Sequence, residues 1–178
     1  MFDFLVHSPV SHYAVATPEH AALSFKGSEL SYRDLASASN RLGNSLVANG
    51  LKSGDRVGIF MHKSLELGIA IYGALKAGGV FVPLDPFLPA ERLQFILDDC
   101  EIDHIVSANA MSPILKTLAG KFEGHVYGVD SNIGSATVSW EQVNAQSAAL
   151  PDVWIIDQDL AYIMYTSGST GQPKGMMH

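Results

Sequence analysis

The sequence predicts an α/β fold, a mainly parallel sheet with flanking helices. Three observations carry that prediction. Strand-length apolar runs alternate with helix-patterned segments along most of the 178 residues. Glycine and proline punctuate the joints between them. The runs Val57–Met61 and Val80–Leu84 are apolar almost throughout, which suits strands covered on both faces. A chain of this length fits one domain, or one domain with a small lobe, and can bury a real core.

In order along the chain, Ala22–Tyr32 reads as a β-hairpin, with Lys26-Gly27-Ser28 between two short alternating runs. Ser31 starts a helix, and Asp34 lies at capping-box spacing from it. Leu35, Leu42 and Leu46 share one face of that helix, and Gly50 ends it. Asp55-Arg56 leads into the strand Val57–Met61. Ser64 caps a helix over Leu65–Lys76, with Leu67, Ile71 and Leu75 on one side and Gly78-Gly79 as the stop. Val80–Leu84 is a second buried strand. Pro86 and Pro89 break the chain, and Pro89 suits the first turn of a helix made amphipathic by Leu93, Ile96 and Leu97. His104–Ser107 is a third strand, Ser112–Leu118 a short helix and His125–Val129 a fourth strand. Ser139–Ala149 is a weak helix or a polar connection. Leu160–Tyr165 is a strand that runs straight into a loop. Crossovers between the parallel strands are expected to be right-handed.

Composition excludes several classes of function. Apolar residues make up 47% and charged residues 16%, a globular balance that rules out general disorder. The net charge is −7, and no basic run offers a nucleic-acid footprint. A single cysteine rules out a disulfide scaffold within the chain. The uncharged stretch Leu67–Leu75 is far too short to span a bilayer. The start, MFDFLVHSPV, carries Asp3 and no early Lys or Arg, unlike a signal peptide. A soluble, cytoplasmic protein is the expectation.

The segment richest in chemistry is Thr166–Gly175, TSGSTGQPKG, in which seven of ten residues are Gly, Ser or Thr. Glycines let a backbone approach an anion closely, and successive N–H groups in such a turn form a concave anion site. The hydroxyls of Thr166, Ser167, Ser169 and Thr170 add donors, and Lys174 adds a point charge. Polyphosphate is the ligand such a set suits best. The order Gly-Lys-Ser/Thr of a Walker A loop is missing, because Lys174 sits between Pro173 and Gly175. No Gly-x-Gly occurs anywhere, so a dinucleotide fingerprint is excluded. Gly/Ser-rich runs are usually linkers. A linker, however, has no reason to follow the apolar strand directly or to end in Pro-Lys-Gly.

The string Tyr165-Thr166-Ser167-Gly168-Ser169-Thr170-Gly171-Gln172-Pro173-Lys174-Gly175 resembles the phosphate-loop signature of the AMP-forming adenylating enzymes. These are the acyl-CoA synthetases, the luciferase-like ligases and the adenylation domains of nonribosomal peptide synthetases. Two further motifs of that family lie upstream in the right order. Leu30-Ser31-Tyr32-Arg33-Asp34-Leu35 resembles the first, and the run from Leu75 to Pro86, LKAGGVFVPLDP, resembles the second. Ser53–Val57 and Pro89-Ala90-Glu91-Arg92-Leu93 also match. The resemblance runs from about residue 10 to the end.

The resemblance implies the N-terminal part of the adenylate-forming fold and a reaction of a carboxylic acid with MgATP. An acyl-adenylate and pyrophosphate form, and a thiol of coenzyme A or of a carrier protein then takes the acyl group. It implies phosphate binding by Thr166, Ser167, Gly168, Ser169, Thr170, Gly171 and Lys174, with Thr166 and Thr170 near phosphate or Mg²⁺. Lys174 is then an electrostatic or bracing group, and no catalytic residue is assigned within the chain. Residues 1–178 correspond to the N-terminal portion of the large domain of such a ligase, with the C-terminal domain absent. The acid pocket, adenine site and catalytic lysine of the family lie beyond His178. The chain alone is therefore expected to be inactive in adenylation, and to self-associate through an uncovered sheet edge. A regulatory or interaction module, half of a split enzyme and a simple phosphate binder are the alternative readings. Which acid is used, and which thiol accepts it, stay open.

The remaining polar residues receive bland readings. His178 is either a group approaching the acid site or a plain terminal residue. The seven histidines have no helical metal-site spacing, and Cys100 has no cysteine partner, so zinc is not expected. Cys100 reads as a half-buried thiol. Asp98, Asp99 and Glu101 read as a solvated acidic patch, and Asp85 as a turn residue before Pro86.

Overall fold

The computed structural model describes residues 4–118, 120–133, 136–167 and 173–178. Helix α1 (Ser8–Ala16) precedes the antiparallel hairpin of β1 (Ala21–Phe25) and β2 (Ser28–Ser31), which leads into α2 (Tyr32–Ala48). Then β3 (Arg56–Phe60), α3 (Leu65–Lys76), β4 (Val80–Leu84), α4 (Ala90–Asp99) and β5 (His104–Ser107) alternate. A 3-10 turn (Asn109–Met111), α5 (Ser112–Lys116), β6 (His125–Tyr127), β7 (Ala136–Val138) and α6 (Trp140–Asn144) follow. A last antiparallel hairpin pairs β8 (Ile163–Ser167) with β9 (Pro173–Met177).

The central sheet has five strands in the order β4-β3-β5-β6-β7, all parallel. Side chains alternate between its two faces, and both faces are covered. Phe60, Val80, Val82, Leu84, Ile105 and Val126 pack under α4 and α5. Val57, Ile59, Phe81, Val106 and Tyr127 pack under α2, α3 and α6. The predicted mainly parallel, helix-flanked sheet is thus the observed one.

Local signals explain the elements. In the first turn, Lys26 and Gly27 both take positive φ (50° and 83°), the backbone a two-residue hairpin needs. Ser31 Oγ accepts from Asp34 N–H at 3.1 Å and starts α2, as its spacing predicts. Ser64 does the same for Leu67 N–H at 3.3 Å and starts α3. Ser139 and Gln142 form a full capping box on α6.

Several expectations are corrected. The α1 helix and the three-residue β7 have no strong periodic signal and are additions to the predicted element set. The segment Ser139–Ala149 is a helix only at its start. Its remainder is strapped onto α2, where Asn40 and Asn44 donate to the carbonyls of Ala148 and Ser147 at 2.8 Å each. The innermost side of α3 consists of Ala70, Gly73, Ala74 and Leu75, while Leu67 and Ile71 are only partly buried. Close packing against α2 is the reason. A Cβ on Gly73 would meet Leu42 Cδ2 at 2.7 Å, so only glycine lets the two helices approach this closely.

Lys76, at the end of α3, is buried. Its ammonium donates to Ser39 Oγ and Asn40 Oδ1 at 2.8 Å each and to the Ala36 carbonyl at 3.3 Å. These bonds staple α3 to α2 through three neutral acceptors. Burial lowers the lysine from 10.5 to about 8.

Candidate functional site

The β8–β9 hairpin carries the hydroxyl-rich segment. Its register pairs Ile163 with Met177, Tyr165 with Gly175, Thr166 with Lys174 and Ser167 with Pro173. The strand therefore runs further than predicted, to Ser167 instead of Tyr165, and the chain returns as a strand from Pro173. Thr166, Ser167 and Lys174 are strand residues, not loop residues. Gly168, Ser169, Thr170 and Gly171 lie outside the described residues. Thr166 is exposed.

The hairpin lies at the β4 edge of the central sheet, where Ile163 is buried in the core. The predicted strand Leu160–Tyr165 starts three residues late, at Ile163. Among the described residues, its backbone link to the sheet edge is one parallel bridge between Phe81 of β4 and Tyr162, with Phe81 N–H donating to the Ala161 carbonyl at 3.1 Å. The two rings pack at 5.2 Å. His178 extends the hairpin ladder by exchanging backbone bonds with Tyr162, and its ring stacks on the Tyr162 ring at 4.9 Å. That contact gives His178 a structural role at the foot of the hairpin.

A second anchor ties the hairpin to α4. The Tyr165 hydroxyl donates to the Asp99 carboxylate, and the Cys100 sulfur lies 3.1 Å from the same hydroxyl. Burial, then the bond to Asp99, pushes the Tyr165 phenol well above its ordinary value. Burial also raises the Cys100 thiol. These contacts correct two readings. Cys100 is buried and partnered, and Asp99 does more than sit on a solvated face. No sequence signal marks the pairing, because the partners are more than sixty residues apart. Arg56, on the edge of β3, holds this end of α4 in place. Its guanidinium donates to the Cys100 carbonyl and pairs with the Glu101 carboxylate at 2.8 Å.

Beside Thr166 opens a cavity of about 250 Å³, lined by Pro83, Asp85, Leu88, Arg92, Ile96, Tyr165 and Thr166. Three sequence segments singled out above meet here: Leu75–Pro86, Pro89–Leu93 and Tyr165–Gly175. Asp85 sits at its turn as predicted, with Oδ1 accepting from Phe87 N–H at 2.9 Å. The wall thus offers the Thr166 hydroxyl, the Arg92 guanidinium and the partly committed Asp85 carboxylate, beside the Tyr165 hydroxyl already bonded to Asp99. That donor set can take an oxyanion. Among the described residues, no group of three or more His, Cys, Asp or Glu is placed to hold a metal ion. No described helix is long and apolar enough to cross a membrane.

Two histidines come together on the central sheet. His104 and His125 are register partners on β5 and β6 and stack at 5.4 Å, and His104 Nδ1 lies 3.0 Å from the buried Tyr127 hydroxyl. Burial, then the neighbouring His125, lowers His104. The pair stands at the start of the parallel strands, away from Thr166.

Comparison with known proteins agrees with this geometry. The model of the AMP-binding enzyme family matches residues 10–178. Surfactin synthase subunit 2 of Bacillus subtilis (strain 168) is 35% identical over 173 residues, covering 97% of this chain and 4% of the synthase. A fatty acyl CoA synthetase of Mycobacterium tuberculosis superposes with a TM-score of 0.80 at 26% identity, covering 98% of this chain and 34% of that one. The nonribosomal peptide synthetase FmoA3, in its AMPPNP-bound form, superposes with a TM-score of 0.79 at 27% identity, covering 97% and 17%. The chain spans only a small part of the curated relatives it matches. With 169 of its residues inside one family model, the chain belongs to the AMP-binding enzyme family.

Proposed function

We propose that residues 1–178 form the N-terminal portion of the large domain of an ATP-dependent, AMP-forming carboxylic acid–thiol ligase. The observation that carries this reading is the meeting of three family-like segments around the Thr166 cavity. In the reaction, an acid carboxylate attacks the α-phosphorus of ATP, releasing pyrophosphate and forming an acyl-adenylate. A thiol of coenzyme A or of a carrier protein then displaces AMP. Carboxylate oxygen is a poor leaving group and AMP a good one, so the chemistry asks mainly for positioning and charge neutralisation.

This chain's share is to hold the β- and γ-phosphates and the departing pyrophosphate. Thr166, Ser167, Gly168, Ser169, Thr170, Gly171 and Lys174 are the groups we assign to that task. Hydroxyls and a lysine suit phosphate oxygens, and Thr166 and Thr170 are the groups we place nearest Mg²⁺. The Mg²⁺ that accompanies ATP neutralises phosphate charge when bound. The acid pocket and the catalytic groups are assigned to segments of the ligase outside residues 1–178. Exposed Met164, Met176 and Met177 on the hairpin support self-association with a second copy, and the site of action is the cytoplasm.

Equilibrium dialysis tests the phosphate role. The chain is expected to bind pyrophosphate weakly, and Lys174→Ala to weaken it further. Acid-dependent ATP–pyrophosphate exchange by the chain alone contradicts the assignment of catalysis to other segments. A monomer by light scattering at micromolar concentration contradicts the self-association.

A further inference from the structure

The chain has four arginines, at 33, 41, 56 and 92. Three have evident partners. Arg33 pairs with Glu19 at 2.7 Å, Arg41 donates to the Gln146 carbonyl at 2.7 Å, and Arg56 pairs with Glu101 at 2.8 Å. Arg92 is different. It sits in the first turn of α4, partly buried, and it lines the same cavity as Thr166. Among the described residues, its guanidinium makes no hydrogen bond and no ion pair. Asp85, in the same wall, does not approach it within ion-pair distance and spends one oxygen on the Phe87 N–H.

A partly buried guanidinium without a counter-charge is costly, because desolvation is not offset by any partner. Folded chains tolerate such a group where an anion completes it. A guanidinium presents a planar fork of donors that matches two phosphate oxygens at once. The cavity, at about 250 Å³, is several times the roughly 30 Å³ share of a liquid water, so it has room for a phosphate group. The backbone around it is fixed from two sides. Tyr165 is bonded to Asp99 and Cys100 at the far end of the same helix, so Thr166 and Arg92 belong to one braced unit.

We infer that Arg92 is a further phosphate-binding residue, reaching the polyphosphate from the α4 side of the cavity while Thr166 faces it from the β8 side. The inference rests on the proposed phosphate role of that segment and adds a group outside it. It also gives a function to the Pro89–Leu93 segment, which none of the phosphate assignments above includes.

Calorimetric titration of inorganic pyrophosphate into the 178-residue chain tests it. Arg92→Met removes the charge but keeps the stem, and is expected to weaken pyrophosphate binding roughly tenfold, the loss of a charge-assisted bond. The slope of affinity against salt is expected to shallow with it, while the melting temperature of the free chain rises slightly, because an uncompensated charge is removed. A purely packing role would lower the melt and leave the salt slope alone. Arg92→Lys keeps the charge without the fork and is expected to lose less than Arg92→Met. It serves as the deciding variant if Arg92→Met folds poorly, and an affinity equal to the parent's overturns the inference. Thr166→Val reports on the β8 side independently. If Thr166→Val weakens binding and both Arg92 variants bind like the parent, Arg92 has no such role and the phosphate reading of the segment stands. If the parent chain shows no pyrophosphate binding at all, both fall.

Discussion

The central sheet and the β8–β9 hairpin are held by different kinds of contact. Every adjacent pair of strands in the sheet shares a parallel ladder, and both of its faces are buried beneath helices. Among the described residues, the hairpin meets the sheet through the Phe81–Tyr162 bridge and ring pair and through Ile163, its one buried core side chain, and it is bonded to α4 through the Tyr165 hydroxyl. The first region is stabilised by apolar area, which is non-directional and additive over many residues. The second adds one buried side chain, Ile163, and a few polar contacts that fix its location. The phosphate role proposed for this segment calls for such polar anchoring, because hydrogen bonds to an anion depend on placement more than on bulk.

The largest expected effect comes from the sheet. Phe60, the last residue of β3, is fully buried, so Phe60→Ala is expected to destabilise the chain by about 3–5 kcal/mol. Chemical denaturation reads that directly. A loss confined to the hairpin, with the sheet intact, would break the comparison.

Lys76 sharpens it from the helix layer. Its pKa is near 8 folded and 10.5 unfolded. Between those values the unfolded chain holds a proton that the folded chain has released, so stability rises with pH across that window. The slope is at most about 1.4 kcal/mol per pH unit. The stability difference between the parent and Lys76→Met is therefore expected to shift in the parent's favour from pH 8 to pH 10.5. Parallel curves for the two chains would contradict the buried, carboxylate-free placement of this ammonium.

The hairpin is tested by Tyr165→Phe. Removing the hydroxyl costs about 1–2 kcal/mol for a bond to a carboxylate. The expected loss is local: faster amide exchange in β8 and β9, with the rates in β3 and β5 unchanged. Uniform acceleration would mean that the hairpin and the sheet open as one unit. The smallest effect is Ser31→Ala, which removes the α2 cap far from the hairpin and is expected to cost about 1 kcal/mol by thermal melt.

The same contrast explains what was legible in the sequence. The bounds of α3 and β4 and the cap at Ser31 come from local rules, so reading residues in order finds them. Helix α1 escapes because only Val10 is buried along it, which leaves no apolar stripe to detect. Strand β9 escapes because Pro173 and Gly175 look like strand breakers. Only its partner β8 makes Pro173–Met177 a strand. The role of Asp99 escapes for the same reason: its meaning lies in Tyr165, on a distant element. The phosphate role proposed for Thr166–Gly175 rests on residue type and order. Its second wall, Pro83, Asp85 and Arg92, needed the fold to bring it there.

The most direct test of the account is amide exchange of the 178-residue chain with and without saturating pyrophosphate. The account predicts added protection in β8, in β9 and in the stretch from Asp85 to Ile96, with α2 and the β5–β6 ladder unaffected. Protection spread evenly over the chain, or none in those segments while pyrophosphate is bound, would place the phosphate site elsewhere and contradict it.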